Sequence, residues 1–119
     1  MLNWFEIPAS DFNRAKKFYE TIFACEIHAE NFAGTMMGFL PADEGKVSGA
    51  IVAGESYVPS KDGSLIYLNG NPDLADVLSR VEAAGGKILL DKRQIAPEIG
   101  YMALFLDSEG NRLALHSQH

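Results

Sequence analysis

The sequence predicts an α+β domain made of two β-α-β-β-β modules whose strands form a half-open, cup-shaped mixed sheet with the helices outside. Three observations carry this. A period-two stretch at the N-terminus runs through a polar turn into an amphipathic helix. The same plan returns about sixty residues later, in register. The 119 residues are 47% hydrophobic and 22% charged, enough for one domain with a real core and no need of a disulfide or structural metal.

Residues 2–8 alternate, with Trp4 and Glu6 on one face and Phe5 and Ile7 on the other. Period two predicts a strand, and Pro8 ends it because proline cannot donate to a ladder. Ser10 or Asp11 then caps a helix. Phe12, Ala15, Phe18, Tyr19, Ile22 and Phe23 form its apolar stripe, and it ends near Ala24. Cys25–Glu30 reads as a short strand and Ala33–Leu40 as a second. Pro41–Gly45 is a turn, and Val47–Ala53 is a third strand.

Residues 54–63 have loop chemistry. Leu65–Asn69 then opens the second copy as a strand. Asn71-Pro72-Asp73 starts a helix with proline in its first turn. Leu74, Val77, Leu78, Val81 and Ala84 form its stripe, and Gly85-Gly86 stops it. Lys87–Asp91, Tyr101–Asp107 and Arg112–Ser117 are three further strands. Asp11 and Asp73 are 62 positions apart, and that offset carries Phe12, Ala15, Tyr19 and Ile22 onto Leu74, Val77, Val81 and Ala84. Such a period fits an internal duplication rather than a solenoid. The expected organisation is one domain: module 1 over about 1–54, a linker over about 55–62, and module 2 over about 63–119. In each module the helix covers one sheet face, so the other must be buried or enclose something.

The net charge of −6 argues against a nucleic-acid partner. The single Cys25 has no internal disulfide partner, the N-terminus lacks the pattern of a signal peptide, and no apolar run reaches the length of a membrane span. The expectation is a cytoplasmic protein with no membrane partner.

The segment Glu6-Ile7-Pro8-Ala9-Ser10-Asp11-Phe12-Asn13-Arg14-Ala15-Lys16-Lys17-Phe18-Tyr19-Glu20 resembles the first strand and helix of the vicinal-oxygen-chelate superfamily. That group includes glyoxalase I, bleomycin- and fosfomycin-resistance proteins and extradiol dioxygenases. Arg80–Lys87 resembles its second helix and turn, and Phe105–Leu113 its closing hairpin. The resemblance implies paired β-α-β-β-β modules, a homodimer, and a ligand pocket on the concave face. In metal-dependent members, His, Glu or Gln ligands occupy the first and last strand of each module. Those positions fall here on Trp4, near Gly49, near Leu65 and on Ala114, none of them a ligand. No cofactor is therefore expected. A divalent metal is the disfavoured alternative, and it would need Glu6, Tyr67 or Asn69, and His116 at positions displaced by two.

The expected ligand-binding residues are Trp4, Glu6, Tyr67, Asn69 and His116. Glu6 has two readings: a hydrogen-bonded rim carboxylate, or a general base or ligand anchor. His116 shares its face with Ala114 and reads as a surface histidine or as a partner for Glu6. These two are the candidate catalytic residues. Asn69 reads as an orienting amide or a turn former. Phe39, Tyr101 and Phe105 are further candidates for an aromatic lining, and Tyr57 for a cover over the cup or a dimer contact. Cys25 has no visible activator. The leading functional reading is a metal-free binder of a small organic molecule, for sequestration or sensing. The alternatives are a metal-dependent lyase, isomerase or dioxygenase, and a dimeric interaction module.

Overall fold

The computed structural model describes residues 1–119. The chain forms β1 (Trp4–Pro8), α1 (Phe12–Phe23), β2 (His28–Phe32), β3 (Thr35–Phe39), β4 (Ser48–Ala53), β5 (Tyr67–Asn69), α2 (Leu74–Leu78), β6 (Lys87–Ala96), β7 (Gly100–Leu106) and β8 (Arg112–Ser117). Two four-stranded sheets result, ordered β1-β4-β3-β2 and β5-β8-β7-β6. Each is mixed in the same way. The first strand of a module pairs parallel with the last, and the remaining neighbours are antiparallel. The duplicated plan read from the sequence is thus duplicated in topology, and the α+β class with two modules holds.

The helix stripes build the core. Phe12, Ala15, Phe18, Tyr19 and Ile22 of α1 are buried, and Leu74, Val77 and Leu78 of α2 join them. They pack with Ile7 and Ile51 of the first sheet and with Ala103, Phe105, Leu113 and Leu115 of the second, in a single cluster. Apolar burial of this kind is the main stabilising term. The sheet positions between these carry the opposite face, where Trp4, Glu6, Tyr67, Asn69 and His116 lie.

Several boundaries differ from the sequence reading. The cap of α1 is Asp11, whose side chain accepts from the Arg14 amide, and Ala24 closes the helix in the left-handed region. The strand expected at Cys25–Glu30 begins later, at His28. Ala33-Gly34, placed in a strand by the sequence, is instead the hairpin turn, with φ of 53° and 93°. Pro72 lies before the cap Asp73 of α2, not in its first turn. That helix has only five residues, and residues 79–85 continue as turns. β6 is ten residues long, twice the expectation, and stays paired to β7 across three irregularities.

Candidate functional site

Strand register decides which side chains share the helix-free face. On β1 these are Trp4 and Glu6, because the alternate residue Ile7 is buried in the helix-side core. Glu6 stands beside Ala50, and Trp4 beside Ser48. In the second module Tyr67 stands beside Ala114, and Asn69 beside His116. The two modules thus present equivalent rows, Glu6 with Ala50 and Tyr67 with Ala114.

The five expected residues fall into two groups. Tyr67, Asn69 and His116 line one cleft of about 470 Å³, together with Ile95 and Ile99 of the β6–β7 hairpin. His116 Nε2 donates to the Ile99 carbonyl at 2.7 Å, which fixes the ring and ties that hairpin to β8. Asn69 Oδ1 accepts from the Asn71 amide at 2.9 Å, so its carbonyl forms the turn while its side chain borders the cleft. Tyr67 is half exposed.

Trp4 and Glu6 form the second group. Glu6 Oε1 accepts from the Tyr57 hydroxyl at 2.8 Å, and Oε2 lies 3.4 Å from the Trp4 indole nitrogen. The bond to Glu6 and its negative charge raise the Tyr57 hydroxyl above its ordinary pKa. Tyr57 comes from the connection between the modules, and its role as the partner of Glu6 is new. Phe39 packs against Trp4, with ring centroids 6.2 Å apart. The structure does not pair Glu6 with His116; each is held by the different partner just described.

Other expectations are corrected. Phe105 is fully buried in the core, facing Phe18, and does not line a cleft. Tyr101 packs against the same core, with the Lys92 ammonium 4.5 Å above its ring. Gly49 is directed to the helix side, because a Cβ there would meet the Phe5 ring and carbonyl. The β4 positions on the opposite face are Ser48 and Ala50. Leu65 precedes β5, and Tyr67 takes the corresponding place. Cys25 borders a second cleft, of about 620 Å³, with Phe5, Phe23, Leu40 and Tyr67. Burial raises its thiol pKa, as does the nearby charge of Glu20, and both disfavour the thiolate.

Ile95 and Ile99 were outside the sequence reading. They lie in and after a strand interrupted by register shifts, where alternation no longer tells one face from the other. Tyr57 sits in a stretch without periodicity, and its aromatic ring among polar neighbours was its only signal.

The donor set does not suit a divalent metal. Of the expected residues only Glu6 and His116 carry a common metal-ligating group, the two are held by different partners, and no three His, Cys, Asp or Glu side chains converge in the chain. What the two groups offer is aromatic surface, one carboxylate, one amide and one imidazole, arranged for hydrogen bonding and stacking.

Paired β-α-β-β-β modules with an open face opposite the helices define a glyoxalase-like domain. The chain belongs to the Glyoxalase/Bleomycin resistance protein/Dioxygenase superfamily, whose family model matches residues 1–115. A glyoxylase-like domain-containing protein of Didymella fabae is 32% identical over 114 residues, covering 92% of this chain and 88% of its own. Among solved structures, a mutant of glyoxalase I from Zea mays superposes with a TM-score of 0.76 at 21% identity, over 98% of this chain and 46% of that one. The chain therefore spans about half the length of the maize enzyme. An antibiotic binding protein from a Streptomyces species superposes with a TM-score of 0.70 at 18% identity, over 98% of this chain and 94% of that one. At such identities the structural likeness establishes the fold alone. No helix is long and apolar enough to cross a membrane.

Proposed function

We propose that this chain binds a small organic molecule on its helix-free face without a metal, acting by sequestration or sensing as a cytoplasmic homodimer. The observation that carries the reading is the poor donor set of the paired positions in the two modules, Glu6 with Ala50 and Tyr67 with Ala114, of which only Glu6 is a common metal-ligating side chain. Aromatic and methyl surface there favours stacking and apolar contact over metal coordination. The cleft beside Tyr67, Asn69 and His116 is within the usual size range of ligand sites. An antibiotic binding protein of the same fold supports the reading by analogy. In this scheme Tyr67 and Trp4 supply stacking surface, and Asn69 and His116 supply orienting hydrogen bonds.

The test is a thermal-shift screen against a library of small organic molecules, followed by calorimetry on hits. Ligand-induced stabilisation should be lost in Tyr67→Ala and His116→Ala, with both variants still folded by circular dichroism. Protein purified without chelator should carry only substoichiometric metal. A stoichiometric, EDTA-sensitive metal that disappears in Glu6→Ala and His116→Ala would overturn the metal-free reading in favour of an enzyme. Light scattering after size exclusion reports the dimer directly, and a monomer at micromolar concentration would remove that part of the proposal.

A further inference from the structure

Resting on the small-molecule reading, we infer that the ligand part held by the first sheet is cationic, an organic ammonium or a comparable delocalised cation seated between Glu6 and the rings of Trp4, Phe39 and Tyr57. The register fixes what this face offers. β1 presents Trp4 and Glu6, β3 presents Met37 and Phe39, and β2 presents His28 and Glu30. Between them β4 contributes only Ser48, Ala50 and Val52. No lysine or arginine lies on the face; of its two carboxylates, Glu30 is bonded to the His28 ring at 2.6 Å and Glu6 is in no ion pair.

Glu6 is the distinctive group. Its two oxygens meet only neutral donors, the Tyr57 hydroxyl and the Trp4 indole. None of the four ion pairs of the chain includes it. The basic side chains on the corresponding side of the second module, Lys87, Arg93 and Arg112, are in register with Leu106 and Met102, on a different sheet. Glu6 is thus a carboxylate outside every ion pair of the chain, beside the Trp4 and Tyr57 rings.

The wall is suited to a cation. Trp4 remains 40% exposed while its ring packs at 6.2 Å and 58° to Phe39. Phe39 in turn packs edge-on with Phe32, itself 53% exposed. Ring faces attract cations through their quadrupole, and tryptophan does so most strongly. A carboxylate beside such rings adds Coulombic attraction in a partly desolvated setting. An anionic ligand would meet the Glu6 carboxylate and be repelled.

Trp4 is the only tryptophan, so its fluorescence reports this face alone. The probes are benzyltrimethylammonium, benzyl alcohol and phenylacetate, matched in ring and differing in charge. The cation should give saturable quenching, benzyl alcohol should bind about tenfold more weakly, and phenylacetate should not bind. Glu6→Gln, which keeps the shape and one accepting oxygen while removing the charge, should remove the preference for the cation, and added salt should weaken it. Saturable binding of benzyl alcohol or phenylacetate as tight as the cation overturns the charge assignment but leaves the small-molecule reading standing. Loss of selectivity must come from Glu6: unchanged selectivity in a folded Glu6→Gln also overturns the inference. If no probe saturates, the first sheet is not a ligand surface. The library screen with Tyr67→Ala then decides separately whether the second cleft is one. The comparison of the three probes on the unmodified protein needs no variant to fold.

Discussion

Glu109 holds more of the structure than any other single carboxylate. Its Oε1 accepts from the Ser10 and Asp11 amides and from Arg14, and its Oε2 from Arg14 Nε at 2.7 Å and from the Ser108 hydroxyl. Helix α1 has no acidic residue in its first turn. Glu109, from the far end of the chain, supplies the negative charge that the positive end of the helix favours. Burial by itself would raise this carboxyl's pKa. The Arg14 guanidinium and the backbone amides outweigh burial and bring it down to about 2. A pKa lowered on folding stabilises the protein above the unfolded value, 4.5, and that contribution is lost as the pH falls toward 2. Glu109→Gln should therefore cost roughly 2 kcal/mol near neutral pH, and the gap to the parent should close in acid. Thermal unfolding across that pH range checks both halves. A gap independent of pH would mean that shape, not charge, matters there. Next to it, the buried Tyr19 hydroxyl donates to Asp107 Oδ2 at 2.6 Å, and Asn111 holds the same carboxylate. Burial raises the tyrosine pKa well above its usual value, and the Asp107 charge adds to this. Tyr19→Phe removes one donor from an enclosed carboxylate and should destabilise by about 1–3 kcal/mol in urea titration.

At the level of elements, the second helix shows what a sequence can and cannot reveal. Its stripe was legible: Val81 is fully buried, and Ala84 packs on the core, at the positions that the duplication assigns. Its length was not. After Leu78 the amides of Arg80 and Val81 bond three residues back, to Val77 and Leu78, instead of four. Apolar spacings of three and four suit either pattern, so periodicity alone cannot separate them. Arg80 Nε also donates to the Ile22 carbonyl near the end of α1, a tertiary contact without local signature. On the candidate site, alternation put Trp4 and Glu6 on one face of β1 and His116 on the face of Ala114, whereas Asn69 entered only through the family resemblance. Alternation could not orient Gly49, which has no side chain to show which way it points, nor carry through the bulged β6 to Ile95. The two glycines that end this region also have different reasons. Gly85 has φ of +108° and open space around it, whereas a Cβ on Gly86 would lie 2.5 Å from the Leu106 carbonyl oxygen and 2.8 Å from Phe18. Gly85→Ala should cost about 1 kcal/mol through backbone strain. Gly86→Ala should cost more, about 2–3 kcal/mol, because the backbone of β7 must move. Parallel urea denaturation ranks them, and the reverse order would refute the packing argument.

Across the whole molecule, the two modules share a core instead of merely adjoining. Phe18 of α1 faces Phe105 of β7 with centroids 6.2 Å apart, Asn111 donates to the Pro8 carbonyl at 2.7 Å, and one apolar cluster takes residues from both sheets. A shared core of this kind predicts a single cooperative transition rather than two independent ones. The single tryptophan makes this testable, since Trp4 lies on β1 while Phe105 lies in the other module. Phe105→Ala deletes a fully buried ring and should lower stability by about 3–5 kcal/mol. Trp4 fluorescence should report that loss at the same urea midpoint as far-ultraviolet circular dichroism, although the substitution is on the opposite sheet. Coupling through the core leaves the first module no folded state of its own once the second is lost. Separated midpoints, with the Trp4 transition unmoved by Phe105→Ala, would show that each module folds alone and that the contacts between them are weak.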